Sequence, residues 1–114
     1  MSIELTNPED AKIVTLARSV RARTLAAEGA CVRDTDGRTY AGATVSLPSL
    51  SVSAVGVAVA MAASSAAAGL EAVAVLGGQI VAEEDLAAVR DFAGAGVVVF
   101  LAATDGTVLE KHLT

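Results

Sequence analysis

The chain has 114 residues, enough for one domain with a modest core, and it is 54% hydrophobic but only 3% aromatic, so that core must be built from Val, Ala and Leu. The formal charge is −5, with six basic and six acidic side chains in residues 1–38 against two basic and seven acidic in residues 39–114. That balance lacks the surplus of basic groups that phosphate binding needs and argues against nucleic acid as a partner, while the single cysteine, Cys31, excludes an internal disulfide and any multi-cysteine metal site.

Met1 to Asp10 is polar and acidic rather than apolar, so no signal peptide is expected and the chain reads as cytoplasmic. Asn7 followed by Pro8, Glu9 and Asp10 is a helix start: an N-cap, a proline at the first helical position, and carboxylates at the positive end of the dipole. Ile13, Leu16, Ala17 and Val20 then recur at helical spacing, which predicts a helix over Pro8–Leu25 with Ile13, Leu16 and Val20 inward and Lys12, Arg18 and Arg21 in water. The basic group Lys12, Arg18, Arg21, Arg23 is accounted for by that solvated face.

Gly29 to Val32 and Thr39 to Val45 read as two strands joined by a turn at Asp34–Gly37, since Asp-Gly between apolar runs is a hairpin signal. Cys31 lies in the first strand as a small buried hydrophobe, with no histidine nearby in sequence to activate it. From Thr39 to Leu70 there is no charged residue, and within this run Ser49 to Leu70 is the middle of the protein. The alternation of Val55, Val57, Val59 and Met61 with small residues is a strand signal, and the 22 uncharged residues are long enough for a membrane span. Against these, the run is too long for one strand, its second half is Ala and Ser, and no aromatic or basic anchors flank it. The expectation is therefore a buried central helix, Ser53–Ala68, closed by Gly69 as a left-handed cap. A helix apolar on every side must be covered on every side, and Ala54, Ala58, Ala62 and Ala66 form a ridge without bulk. This predicts a homo-oligomer, dimer or tetramer, assembled through helix Ser53–Ala68.

Glu71 to Leu76 is a short buried-strand run, and Gly77–Gly78 after it is read as a loop because neither phosphate-binding glycine motif is present. Glu83, Glu84 and Asp85 open a helix to about Ala93, with Leu86, Val89 and Phe92 inward. Val97 to Ala102 is a second buried strand, Thr104 to Gly106 a turn, and Thr107 to Glu110 a short edge strand; His112, the only histidine, is read as a solvated tail residue. Helix, hairpin, helix, strand, helix, strand makes a single α/β domain over residues 1–114 with a mixed sheet.

The segment from Gly29 to Val45 (GACVRDTDGRTYAGATV), the small-residue helix before Gly69, the strand EAVAVL, and the run from Arg90 to Gly106 (RDFAGAGVVVFLAATDG) resemble the cytidine deaminases in order and spacing. The resemblance implies a three-layer α-β-α sandwich whose central helices pack together in tetrameric members. Deaminases of this class hold a zinc with one His or Cys and two cysteines, and a glutamate serves as general acid and base. The helix that opens with Cys-Ala-Glu or His-Ala-Glu in the family corresponds here to Ala54, Val55, Gly56, Val57 and Ala58. The Pro-Cys-Gly-x-Cys segment corresponds to Val81, Ala82, Glu83, Glu84 and Asp85, and the sugar-binding Asn-Val-Glu to Thr44, Val45 and Ser46. No catalytic, cofactor-binding or metal-ligating residue is therefore assigned, and the reading is an inert deaminase relative serving as a scaffold or binding protein. Two alternatives stay open: an active cytidine or nucleoside deaminase, or other hydrolase, with a non-standard site drawing on Glu83 to Asp85 and Asp91, and a module that binds a nucleoside or base in the old pocket.

Overall fold

The computed structural model describes residues 2–114. Helix α1 (Pro8–Thr24) is capped as the sequence dictates, with Asn7 Oδ1 accepting from the Glu9 N–H at 2.9 Å. Then come β1 (Gly29–Asp34), β2 (Thr39–Ala43), a small hairpin of β3 (Val45–Leu47) and β4 (Leu50–Val52), and helix α2 (Ala54–Ser64). The chain ends with β5 (Leu70–Leu76), α3 (Glu83–Ala93), β6 (Val98–Ala102) and β7 (Val108–Leu113). The main sheet has the order β2-β1-β5-β6-β7, and only the β5–β6 pair is parallel. β3 and β4 pair only with each other.

Residues along the central strands alternate between two cores. Cys31, Ala72, Ala74, Leu76, Phe100 and Ala102 face α1 through Ile13, Val14 and Ala17. Ala30, Val32, Val73, Val75, Val99 and Leu101 face α2 and α3 through Val55, Ala58, Val59 and Val89. Both faces of the sheet are thus covered, which is why these strands read as continuous apolar runs, and the result is the expected three-layer sandwich. Arg33 crosses the α1 face: its Nε bonds Glu71 Oε1 of β5 at 3.0 Å, and its Nη1 lies 3.0 Å from Asp10 Oδ1 of α1 in an ion contact without hydrogen-bond alignment.

Several expectations are corrected. The central helix spans Ala54–Ser64, not Ser53–Ala68. Before it, Val45, Leu47, Leu50 and Val52 alternate with Ser46 and Ser51 about a Pro48–Ser49 turn, so the local period is two and a hairpin forms. After it, Ala66 rather than Gly69 takes the left-handed conformation (φ 60°), with the Ala66 N–H donating to Ala63 O (3.1 Å) and the Ala67 N–H to Ala62 O (3.0 Å). This is a Schellman closure with alanine where glycine costs less. Ala66→Gly is accordingly expected to raise stability by about 0.5–1 kcal/mol, measured as a shifted urea midpoint at unchanged slope.

The alanine ridge is also corrected: Ala54, Ala58 and Ala62 are fully buried against the chain's own sheet, and only Ala66 is exposed. The close approach to this helix is internal: Gly42 of β2 lies against it, where an added Cβ would stand 2.7 Å from Val57 Cγ1 and 3.0 Å from Ala58 N. On α1, Val14 and Ala17 rather than Leu16 complete the buried stripe, and Arg21 is half-buried with its Nε donating to Ala27 O at 3.1 Å. The last strand runs on to Leu113, so His112 is no tail residue: it pairs with Val99, and its Nε2 lies 2.8 Å from Glu110 Oε1. Among the described residues no helix is long and apolar enough to cross a membrane.

Candidate functional site

The parallel pair β5–β6 ends together at Leu76 and Ala102, and Leu76 lies opposite Gly29, which in turn lies opposite Ala43. The carboxyl end of the parallel strands is where open α/β sheets place their ligand sites. Here that end collects Glu28 ahead of β1, Thr44 after β2, Ser53 ahead of α2, Gly77 and Gly78 after β5, and Asp85 in the first turn of α3. Two helix N-termini, each carrying partial positive charge, open onto it.

Ser53 is the N-cap of α2, and its Oγ accepts from the Gly56 N–H at 3.0 Å. The same hydroxyl donates to Asp85 Oδ1 at 2.6 Å. Asp85 is buried, and it sits in the first turn of a helix whose own N-cap, Ala82, offers no side-chain hydrogen bond. Glu28 is half-buried, and its carboxylate lies so close to Gly78 that a Cβ there would overlap Glu28 Oε2. Burial, and then the charge of Asp85, push the Glu28 carboxyl above the usual range. Among the described residues neither carboxylate has a basic partner.

The residues singled out from the sequence take different places. Ala54, Val55 and Ala58 are wholly buried, and Val57 is half-buried against Gly42, so this turn of α2 presents no donor. The Thr44 hydroxyl is spent on the backbone of Glu28: it accepts from the N–H at 3.0 Å and donates to the carbonyl at 3.3 Å. Ser46 is exposed on β3 opposite Ser51. Glu83 and Glu84 point to water, Glu83 reaching only to 4.0 Å from Arg90, and Asp91 is exposed further along α3. Cys31 is buried on the α1 face, where burial pushes its thiol up to about 11, and His112 lies at the opposite end of the sheet.

A deaminase zinc takes three protein ligands of the Cys or His kind. These residues do not fit it: the positions that the resemblance sets against the ligands are apolar except for Asp85, Glu83 and Glu84 beside it point to water, and one oxygen of Asp85 is already held by Ser53. Among the described residues no group of three or more His, Cys, Asp or Glu side chains is placed to hold a metal. A cleft of about 220 Å³ does exist, lined by Leu5, Val14, Thr15, Arg18 and Asp105, but it lies on the α1 face and none of the aligned residues reaches it. Glu28 and Ser53 are the residues that sequence reading missed. Serine ahead of an apolar run is an N-cap signal for Ser53, whereas nothing local connects it to Asp85.

A family model described as cytidine deaminase-like matches residues 6–106. Among solved structures, cytidine deaminase from Burkholderia pseudomallei shares 19% identity over 90% of this chain and 89% of that one, with a TM-score of 0.75. The enzyme from Mycobacterium leprae shares 15% identity over 93% of each chain (TM-score 0.71). That from Mycobacterium tuberculosis shares 20% over 77% of this chain and 80% of that one (0.67). At these identities the structural likeness speaks for the fold alone. No curated protein matches the sequence.

Proposed function

The chain belongs to the cytidine deaminase-like family, and from that membership we propose that it is a catalytically inert member, a single domain over residues 1–114 that works as a homo-oligomeric scaffold or binding protein. The observation that carries this reading is the donor set at the carboxyl end of the sheet. Of the two segments aligned with the zinc ligands and the general acid–base, one is Ala54 to Ala58 and the other offers Asp85, whose Oδ1 is held by Ser53 at 2.6 Å.

Deamination of cytidine needs an activated water and a group to move its proton, and each is worth orders of magnitude in rate. Purified, untagged protein is expected to contain no stoichiometric zinc and to deaminate neither cytidine nor deoxycytidine above the buffer rate, followed by absorbance. Stoichiometric zinc that is lost in Asp85→Ala, together with turnover, would overturn the proposal. With the Thr44 hydroxyl engaged by the Glu28 backbone, a thermal-shift panel of nucleosides is expected to give no stabilisation.

The oligomer is supported by a surface rather than by the alanine ridge. Leu47 and Leu50 on the β3–β4 hairpin are more than half exposed, and Ala60, Met61, Ala63 and Ser64 line the outer side of α2, all within the run that carries no charge. A second copy of this chain is the proposed cover for this face. Light scattering at micromolar concentration is expected to return a multiple of 11.3 kDa, and Met61→Glu to return the monomer; a monomeric wild type would sink this part of the reading.

A further inference from the structure

We propose that the Ser53–Asp85 hydrogen bond is a metal-free brace that holds the N-termini of α2 and α3 together. The inference rests on the reading that no zinc occupies this end of the sheet, and it accounts for how the two helices stay in register without one. Val55 of α2 and Val89 of α3 belong to one core, so both helices must meet the sheet at a fixed spacing. Their N-termini, however, bring two positive dipole ends together, and the first turn of α3 has no side-chain cap.

Asp85 lies where these two helix ends meet. Its carboxylate places negative charge between the two helix ends, and its burial requires a donor, because an ionised group without one is costly inside a protein. Ser53 is that donor. One hydroxyl accepts from the Gly56 N–H and donates a hydrogen bond to the Asp85 carboxylate at 2.6 Å, within the short range of charge-assisted O–H···O⁻ bonds. The N-cap of one helix thereby becomes the partner of the first-turn acid of the other. A serine that served only as an N-cap would need its oxygen and not its proton.

The test is a double-mutant cycle in the full chain, read by urea unfolding. Ser53→Ala and Asp85→Ala are each expected to lower the midpoint, and the double variant to lose less than the sum, with a coupling of about tenfold or more in the unfolding constant. Additive losses overturn the brace. Ser53→Asp separates brace from cap, since aspartate is as good an N-cap as serine but puts a second carboxylate against Asp85. It is expected to be less stable than Ser53→Ala, and equal or greater stability overturns the proposal. Should a variant fail to fold, hydrogen exchange of the wild type decides: the Gly56 N–H is expected to be protected as strongly as the amides in the middle of α2, and fraying there counts against the brace. A midpoint that falls with a chelator and returns with zinc would overturn the inert reading, whereas additive losses in metal-free protein would overturn the brace alone.

Discussion

Gly29→Ala is expected to lower the stability of the protein by about 3 kcal/mol, at the top of the range for bulk added to a packed core. A Cβ at Gly29 would overlap the carbonyl oxygen of Ala17 and would stand 2.7 Å from Arg21 Cβ and 3.1 Å from Arg21 N. Two of these three atoms are helix backbone, which cannot rotate away as a flexible side chain can. The strand and α1 would have to separate, and that separation would open the core in which Ile13, Ala17 and Cys31 are fully buried. Gly69→Ala is the control: its φ is not left-handed, and its added Cβ would meet only Thr35 Cγ2 at 3.5 Å, so its effect is expected to stay within about 0.5 kcal/mol. Equal stability of the two variants in urea would show that the approach of α1 to β1 is looser than these distances say.

Elements with local signals can be read from the sequence, whereas contacts set by topology cannot. α1, α3 and the strands β5 and β6 were legible because their signals are local. Asn7-Pro8 fixes one helix start, three carboxylates mark another, and VVVFLA admits few readings other than a strand buried on both sides. The stretch from Val45 to Ser65 was less legible. Without charges to show which residues face water, the alternation in Val45 to Val52 did not stand out as a hairpin ahead of the helix. The alanine ridge announced that some backbone comes close to α2, but a stripe of small residues does not say whose. Gly42, sixteen residues before Ala58, receives α2, and that pairing is set by topology. At the site, the absence of Cys and His from Ala54–Ala58 and Val81–Asp85 could be read because metal chemistry demands particular residue types. The Ser53–Asp85 contact could not, since serine and aspartate are common and 32 residues separate them.

Asp34→Ala is expected to lower the melting temperature by roughly 10 °C or more, because it removes every hydrogen bond that a fully buried carboxylate makes across the β1–β2 turn. Asp34 is fully buried at the β1–β2 turn, and both of its carboxylate oxygens are engaged. Oδ1 accepts from the N–H groups of Asp36 and Arg38, each at 2.9 Å, and Oδ2 accepts from Tyr40 Oη at 2.9 Å and Arg38 Nε at 3.1 Å. Burial alone would raise its pKa. The Arg38 N–H, the Tyr40 hydroxyl, the Asp36 N–H and the Arg38 charge outweigh burial and hold it below the usual carboxylate range. A carboxyl whose pKa is lower in the folded chain than in the unfolded one stabilises fully above the unfolded value, about 3.9, and loses that contribution as pH falls through the folded value. The gap between wild type and Asp34→Ala should therefore be constant from neutral pH to about 5 and narrow below about 3.9. Asp34→Asn keeps an oxygen for the two backbone N–H groups but loses the negative charge facing Arg38 and Tyr40. It is expected to fall between wild type and Asp34→Ala at neutral pH, and to change less than wild type on acidification. Thermal melts of the three proteins from pH 7 to pH 3 check this, and a gap that widened towards acid would show that Asp34 does not hold the turn as a carboxylate.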